Sequence, residues 1–148
     1  MRLFSVALIS VVVAAFSATH VQAQEFFARM TGANETPAIL SNGSGTFKLS
    51  LDKNTNTATY ELTYSGLSSP ATQAHIHFSK VHVAGGIIIW LCQTATNPSP
   101  VPNTPTCPSA GGTVTGTITA NSVVAVPAQL VSAGEIRGQI RESDRDQQ

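Results

Sequence analysis

The segment GTFKLSLDKNTNTATYELTYS, residues 45–65, decides the fold of this 148-residue chain. Apolar and polar residues alternate through each of its halves, which is typical of a strand with one buried face. The linking residues 52–56 are polar and turn-prone, which favours a hairpin of two antiparallel strands. The residues predicted to face the core are Phe47, Leu49 and Leu51 in the first strand and Ala58, Tyr60, Leu62 and Tyr64 in the second.

The same alternation recurs along the rest of the chain, whereas helical periodicity does not. Turns rich in Gly, Pro, Asn and Ser separate short segments with high Thr and Val content. This pattern predicts an all-β protein, an antiparallel sandwich or flattened barrel of about eight strands. A single helical turn is conceivable near residues 128–133. The six strands expected outside the hairpin cover residues 26–30, 73–78, 86–92, 113–120, 122–126 and 134–140.

The amino terminus has the pattern of a signal peptide. Arg2 precedes an apolar run to Phe16, and Val21-Gln22-Ala23 supplies a small-x-small exit, so we expect cleavage after Ala23. An uncleaved anchor is the alternative, but the apolar run is shorter than the roughly 20 residues of a spanning helix. The expected organisation is a signal peptide over residues 1–23, one β domain over 24–141, a charged flexible tail over 142–148, and no membrane span after cleavage.

Charge argues against a nucleic-acid partner. The chain carries 8 basic and 8 acidic residues, and cleavage removes Arg2 and no acid, leaving 7 and 8. Phosphate contacts need a basic face, which so few scattered cations do not build. We expect a secreted protein, extracellular or periplasmic, with an unknown ligand from that compartment. The sequence does not determine the oligomeric state.

Two cysteines, Cys92 and Cys107, lie in the exported part of the chain. An even pair in an oxidising compartment predicts a disulfide bond, which would close a loop of about 15 residues and stabilise the fold by about 3 kcal/mol. The enclosed residues 93–106 are rich in Pro, Asn, Thr and Ser and show no apolar periodicity. A redox or metal-thiolate role is the alternative, but the chain has no CxxC spacing.

The histidines of the mature chain, His75, His77 and His82, fall within eight positions. In a strand, His75 and His77 project from the same face and can converge on one copper or zinc ion. His82 would be the third ligand if residues 79–81 fold back onto the strand. Glu61, Glu135 and Gln139 are further candidates to assist. Two half-exposed strand histidines bonded to nearby backbone are the alternative. A blue-copper site is not expected, because Cys92 pairs with Cys107 and Met30 lies in the first strand.

Catalytic patterns are weak in this sequence. No GxSxG elbow occurs, and five scattered acids, Glu25, Glu35, Asp52, Glu61 and Glu135, do not define a glycosidase pair. The sequence therefore leaves enzymatic activity uncertain and favours a non-enzymatic role, with no catalytic residues assigned.

The segment Gly134-Glu135-Ile136-Arg137-Gly138-Gln139-Ile140 is the second local feature. Ile136, Gly138 and Ile140 would share one strand face, with Gly138 allowing close approach by a neighbour. Glu135 and Arg137 would form a surface pair rather than a ligand site.

Together with that segment, residues 28–37 (ARMTGANETP), 45–47 (GTF), 60–67 (YELTYSGL) and 74–77 (AHIH) resemble the CHRD, or chordin, domain family over nearly the whole mature chain. The resemblance implies an immunoglobulin-like β-barrel, distantly similar to copper/zinc superoxide dismutases, and marks Glu135, Arg137 and Gly138 as family motif positions. Where relatives commonly carry a further histidine strand, this chain has SVVAVPA at residues 122–128, which removes a plausible metal ligand. We therefore expect an exported binding or surface-associated module, with metal binding through the H-x-H strand as the alternative.

Overall fold

The computed structural model describes residues 23–80 and 83–135 and shows an antiparallel all-β architecture. Three short 3₁₀ turns, Gly32–Asn34, Ala120–Ser122 and Pro127–Gln129, interrupt the loops. The described strands are β1 (Ala23–Thr31), β2 (Ser44–Asp52), β3 (Thr57–Ser65), β4 (Ala74–Phe78), β5 (Gly86–Cys92) and β6 (Gly112–Ile118).

Four strands form one sheet in the order β1-β2-β3-β6, with every neighbouring pair antiparallel. The predicted hairpin is β2–β3, and its turn is held by the Asp52 carboxylate, which accepts a hydrogen bond from the Asn54 backbone N–H at 2.8 Å. Its apolar residues are buried, as predicted: Leu49, Leu51, Ala58, Tyr60, Leu62 and Tyr64 belong to the core, and Phe47 packs against it. The alternation of apolar and polar residues therefore predicted correctly which face of the β2–β3 hairpin is buried.

The second sheet consists of β4 and β5, and two register shifts shape it. Ala74 pairs with Cys92 and the next residue, His75, pairs with Trp90, so Leu91 has no partner in β4. In the same way, a second register shift leaves Ile88 without a partner in β4. Such bulges twist a strand and turn ladder groups towards other partners. The Leu91 carbonyl accepts a bond from the Tyr60 hydroxyl at 2.6 Å, and the Ile88 carbonyl accepts one from the Val124 N–H at 2.8 Å.

Tyr60 therefore ties the two sheets together. Its side chain is 5% exposed, and its hydroxyl donates to β5 from β3. A Cβ on Gly116 of β6 would lie 2.6 Å from the tyrosine hydroxyl, so the ring can take this position only because residue 116 is glycine. Burial also raises the pKa of the Tyr60 hydroxyl, which keeps it protonated as a donor.

The predicted disulfide between Cys92 and Cys107 is present, with a Cα–Cα distance of 5.0 Å. The loop it closes is ordered by Gln93. The Gln93 side chain donates to the Thr104 carbonyl at 2.7 Å and accepts from the Ser99 N–H at 2.7 Å. The Gln93 backbone also bonds to both Pro105 and Cys107. One glutamine thus organises a segment that the sequence left without structure.

Six strands are described where eight were predicted, and the difference lies near the carboxyl end. Residues 122–126 do not form a strand: the Ser122 hydroxyl accepts from the Thr119 N–H at 3.1 Å and closes a 3₁₀ turn. Val126 then makes one isolated bridge to Val131, and Pro127 begins another short turn in the region where a helical turn was considered. Of the predicted strand 134–140, residues 136–140 lie outside the described residues, as do residues 1–22 and the tail.

We expect Tyr60→Phe to lower the free energy of unfolding by about 1–2 kcal/mol, because the Leu91 carbonyl would stay buried without its donor. Urea unfolding measures the change. Thr59→Ser, at the neighbouring outward position, is the matched control and should change stability by less than about 0.5 kcal/mol. Wild-type stability should fall as the pH rises above about 10, since the pKa of Tyr60 is raised in the folded state. Equal stability of the Phe variant would contradict the role given to this bond.

Candidate functional site

A cleft of about 370 Å³ lies between strand β4 and the segment that joins β1 to β2. Its apolar lining includes the core residues Leu62, Tyr64 and Leu91, so the cleft reaches the interior of the sandwich. Gly32 holds the wall in place, because its carbonyl accepts from the Ile39 N–H at 2.8 Å. The polar side chains of the lining are Thr31, Glu35, Ser41, Ser44, Gln73, His75 and His77.

The mouth of the cleft has an apolar rim. Ile39 and Leu67 line it and are both substantially exposed, and Leu40, the next residue after Ile39, is fully exposed. Exposed apolar side chains gathered around a concave surface are typical of a binding site, whereas scattered ones are ordinary. Leu130, which is 92% exposed, lies outside this lining and provides a comparison position.

His75 and His77 both line the cleft, with ring centroids 4.7 Å apart and ring planes nearly perpendicular at 88°. Ala74, Ile76 and Phe78, the alternate residues of β4, pack against the core. The strand periodicity in this segment thus brings the two imidazoles together, as the H-x-H pattern implied.

Hydrogen bonding fixes the tautomer of His77. Its Nδ1 lies 2.7 Å from the Gly85 carbonyl oxygen, and a carbonyl only accepts, so Nδ1 carries the proton. In the neutral ring, Nε2 then presents a lone pair. This is the arrangement by which a backbone carbonyl orients a metal-binding imidazole.

His75 is half-buried, and its ring lies edge-on to Trp90 at a centroid distance of 6.5 Å. Burial lowers the pKa of His75, and the neighbouring His77 lowers it further. A neutral imidazole at neutral pH is a competent ligand as well as a hydrogen-bonding group.

Met30 also lines the cleft, so the structure brings its thioether to the same cavity as the two imidazoles. A blue-copper site was not expected from the sequence, because Cys92 pairs with Cys107 and Met30 lies in the first strand. A soft sulfur donor in the same cavity as two imidazoles suits copper better than zinc. No group of three or more His, Cys, Asp or Glu residues within residues 23–80 and 83–135 is arranged to hold a metal.

The other predicted site residues are placed as follows. His82, Arg137, Gly138 and Gln139 lie outside the described residues. Glu61 cannot assist His75, because Glu61 lies on the opposite side of the four-stranded sheet, where it pairs with Lys48 at 3.3 Å. Glu135 accepts a hydrogen bond from the nearby Ser132 N–H.

Gln129 is a positioning residue that sequence reasoning missed. Its amide donates to the Phe78 carbonyl at 2.7 Å and accepts from the Gly86 N–H at 2.6 Å, so it bonds the end of β4 to the start of β5. Residue 86 must be glycine for this contact, because a Cβ there would lie 2.9 Å from Gln129 Oε1 and 2.6 Å from Val126. The clamp holds Gly85, the partner of His77, beside the cleft. No local pattern around residue 129 signals this role.

The comparison with protein-family models matches the CHRD domain over residues 26–140 of the 148-residue chain. The chain belongs to the CHRD family. No curated protein and no solved structure gave a significant match. CHRD domains are typically extracellular, and the Cys92–Cys107 disulfide fits an oxidising compartment. Among the described residues, no helix has the length and apolar character needed to cross a bilayer.

We expect acidification below about pH 6.5 to destabilise the protein, because the unfolded chain protonates His75 before the folded chain does. Nuclear magnetic resonance titration should place the His75 midpoint below that of a model histidine. His75→Gln should remove this part of the pH dependence while leaving stability at pH 7.5 nearly unchanged. A midpoint at or above the model value would contradict the desolvation of His75.

Proposed function

We propose that this CHRD-family protein is an exported, non-enzymatic binding or surface-associated module whose ligand occupies the cleft between β4 and the β1–β2 segment. The supporting observation is the cleft itself, whose lining combines buried core side chains with the exposed apolar side chains of Ile39 and Leu67. Export is supported by the amino-terminal pattern and by the disulfide bond. The ligand would be met outside the cell or in a periplasm.

The lining defines the chemical character of the ligand. Ile39 and Leu67, which line the cleft and are exposed, would contact an apolar part, and desolvation of that surface would supply most of the binding free energy. His75, His77 and Gln73 offer donors and acceptors for a polar part. The cleft therefore suits an amphipathic ligand or an extended segment of a partner protein.

The test is capture of ligands from native extracellular or periplasmic extract by immobilised mature protein. Leu67→Asp places a charge at the apolar rim and should reduce capture at least tenfold, because the charge would have to be desolvated on binding. Leu130→Asp introduces the same charge at a more exposed leucine outside the cleft lining and is the control. Capture that survives replacement of both His75 and His77 by Ala would favour this function over a metal role. Capture unaffected by Leu67→Asp would place the ligand elsewhere.

A second candidate function is copper binding, favoured by the 4.7 Å separation of the His75 and His77 rings. The Gly85 carbonyl orients His77 with Nε2 available, and Met30 lines the same cavity. A histidine pair with a thioether is a donor set for Cu(I), and zinc binding would rest on the histidines with His82.

Calorimetry on metal-stripped mature protein tests this candidate. We expect Cu(I), kept reduced with a competing chelator, to bind tighter than millimolar and His75→Ala to abolish the signal. Met30→Leu keeps the side-chain volume and should weaken Cu(I) binding without affecting Zn²⁺. His82→Ala tests the predicted third ligand. Affinity weaker than about millimolar, or unchanged by His75→Ala, would end the copper proposal.

A further inference from the structure

A second surface lies on the side of the four-stranded sheet that faces away from the core, and we call it the outer face. Its residues are in register across the four strands and form three rows. The rows are Arg29-Thr46-Thr63-Thr113, Phe27-Lys48-Glu61-Thr115 and Glu25-Ser50-Thr59-Thr117.

Hydroxyl groups dominate the outer face. Each is both donor and acceptor, and the β-branched threonines lose little side-chain entropy when they bind. Thr63 and Thr113 already bond to each other across the strands at 2.9 Å. The threonines of β6, at positions 113, 115 and 117, are all exposed. The surface therefore presents ordered hydroxyls at low entropic cost.

The charges of the outer face balance. Lys48 pairs with Glu61 at 3.3 Å, and Arg29 and Glu25 lie on either side of Phe27 along β1. Two cations and two carboxylates give no net field to attract a polyanion or a polycation. The ligand that suits this face is uncharged and rich in hydroxyls.

Two features distinguish the outer face from an ordinary solvated sheet. A shallow depression of about 420 Å³ crosses it, lined by Lys48, Glu61 and Thr115 of one row and by Glu25, Ser50, Thr59 and Thr117 of the next. Phe27, opposite Lys48 in the register, is 61% exposed. An exposed aromatic ring offers a flat apolar surface on which the C–H face of a pyranose ring can stack.

We infer that the outer face is a glycan-binding platform for a neutral, β-linked polysaccharide. The chain would stack one sugar on Phe27 and follow the depression across the strands, exchanging hydrogen bonds with Lys48, Glu61 and the threonine hydroxyls. The strand spacing of about 4.8 Å is close to the length of one pyranose unit in a β-linked chain, so successive sugars would lie over successive strands of the sheet. This site is separate from the cleft of the proposed function.

The experiment measures how much mature protein sediments with insoluble cellulose or chitin and how far a soluble β-glucan retards it in native gels. We expect the protein to sediment with cellulose or chitin or to be retarded by the β-glucan, and we call either result retention. The retention should persist at roughly 0.5 M salt, where exposed charge interactions are screened. Phe27→Ala and the double variant Thr59→Val/Thr115→Val should each reduce retention at least fivefold. Both alter exposed positions, and the valines preserve β-branching, so thermal melts should stay close to that of the wild type.

The His75→Ala/His77→Ala variant and the Leu67→Asp variant are controls for the cleft and should bind glycan like the wild type. This arrangement separates the platform from the cleft function, because each surface has variants that leave the other intact. Absence of retention by all three probes would overturn the proposal. So would full retention by both outer-face variants with wild-type melting, or loss of retention in the cleft variants alone.

Discussion

The hydrogen bond from the Tyr60 hydroxyl to the Leu91 carbonyl is the constraint on which the arrangement of the two sheets depends. It is possible because a bulge in the β4–β5 pair skips Leu91 and because Gly116 leaves room for the tyrosine ring. A buried carbonyl without a donor is unfavourable, so the bulge and the tyrosine require each other. The Tyr60–Leu91 hydrogen bond positions β5 against the four-stranded sheet, and β4 is paired with β5. The position of β4, and with it the depth of the cleft, therefore depends on this hydrogen bond.

The two candidate surfaces arise from opposite faces of the same alternation. Inward positions of β3 supply Leu62 and Tyr64 to the cleft, while outward positions supply Thr59 and Glu61 to the platform. A sandwich can carry two binding surfaces in this way because its core separates them. Changes on one face should then affect the other only through stability, which makes the two proposed functions separable by mutation.

Sequence patterning predicted the parts of the structure that depend on local periodicity. The bounds of β5, Gly86–Cys92, and the buried residues of β2 and β3 follow from alternation or from an apolar run. The apolar run at residues 122–126 misled because the Ser122–Thr119 contact and Pro127 favour short turns on both sides of it. The H-x-H pattern indicated the imidazole pair, but Met30 and Gln129 reach the site through long-range packing and chain contacts that no local pattern records.

Gln93 gives the disulfide-closed loop a second source of order, since its side chain and backbone together hold Ser99, Thr104, Pro105 and Cys107. The hydrogen bonds of Gln93 therefore determine the conformation of this loop, while the disulfide bond contributes to its stability against unfolding. A chain made in a reducing cytosol would keep the loop's outline while folded, but its unfolded ensemble would be larger and its native state correspondingly shorter-lived. The Cys92–Cys107 disulfide therefore matters most outside the cytosol, where an unfolded chain has less help to refold.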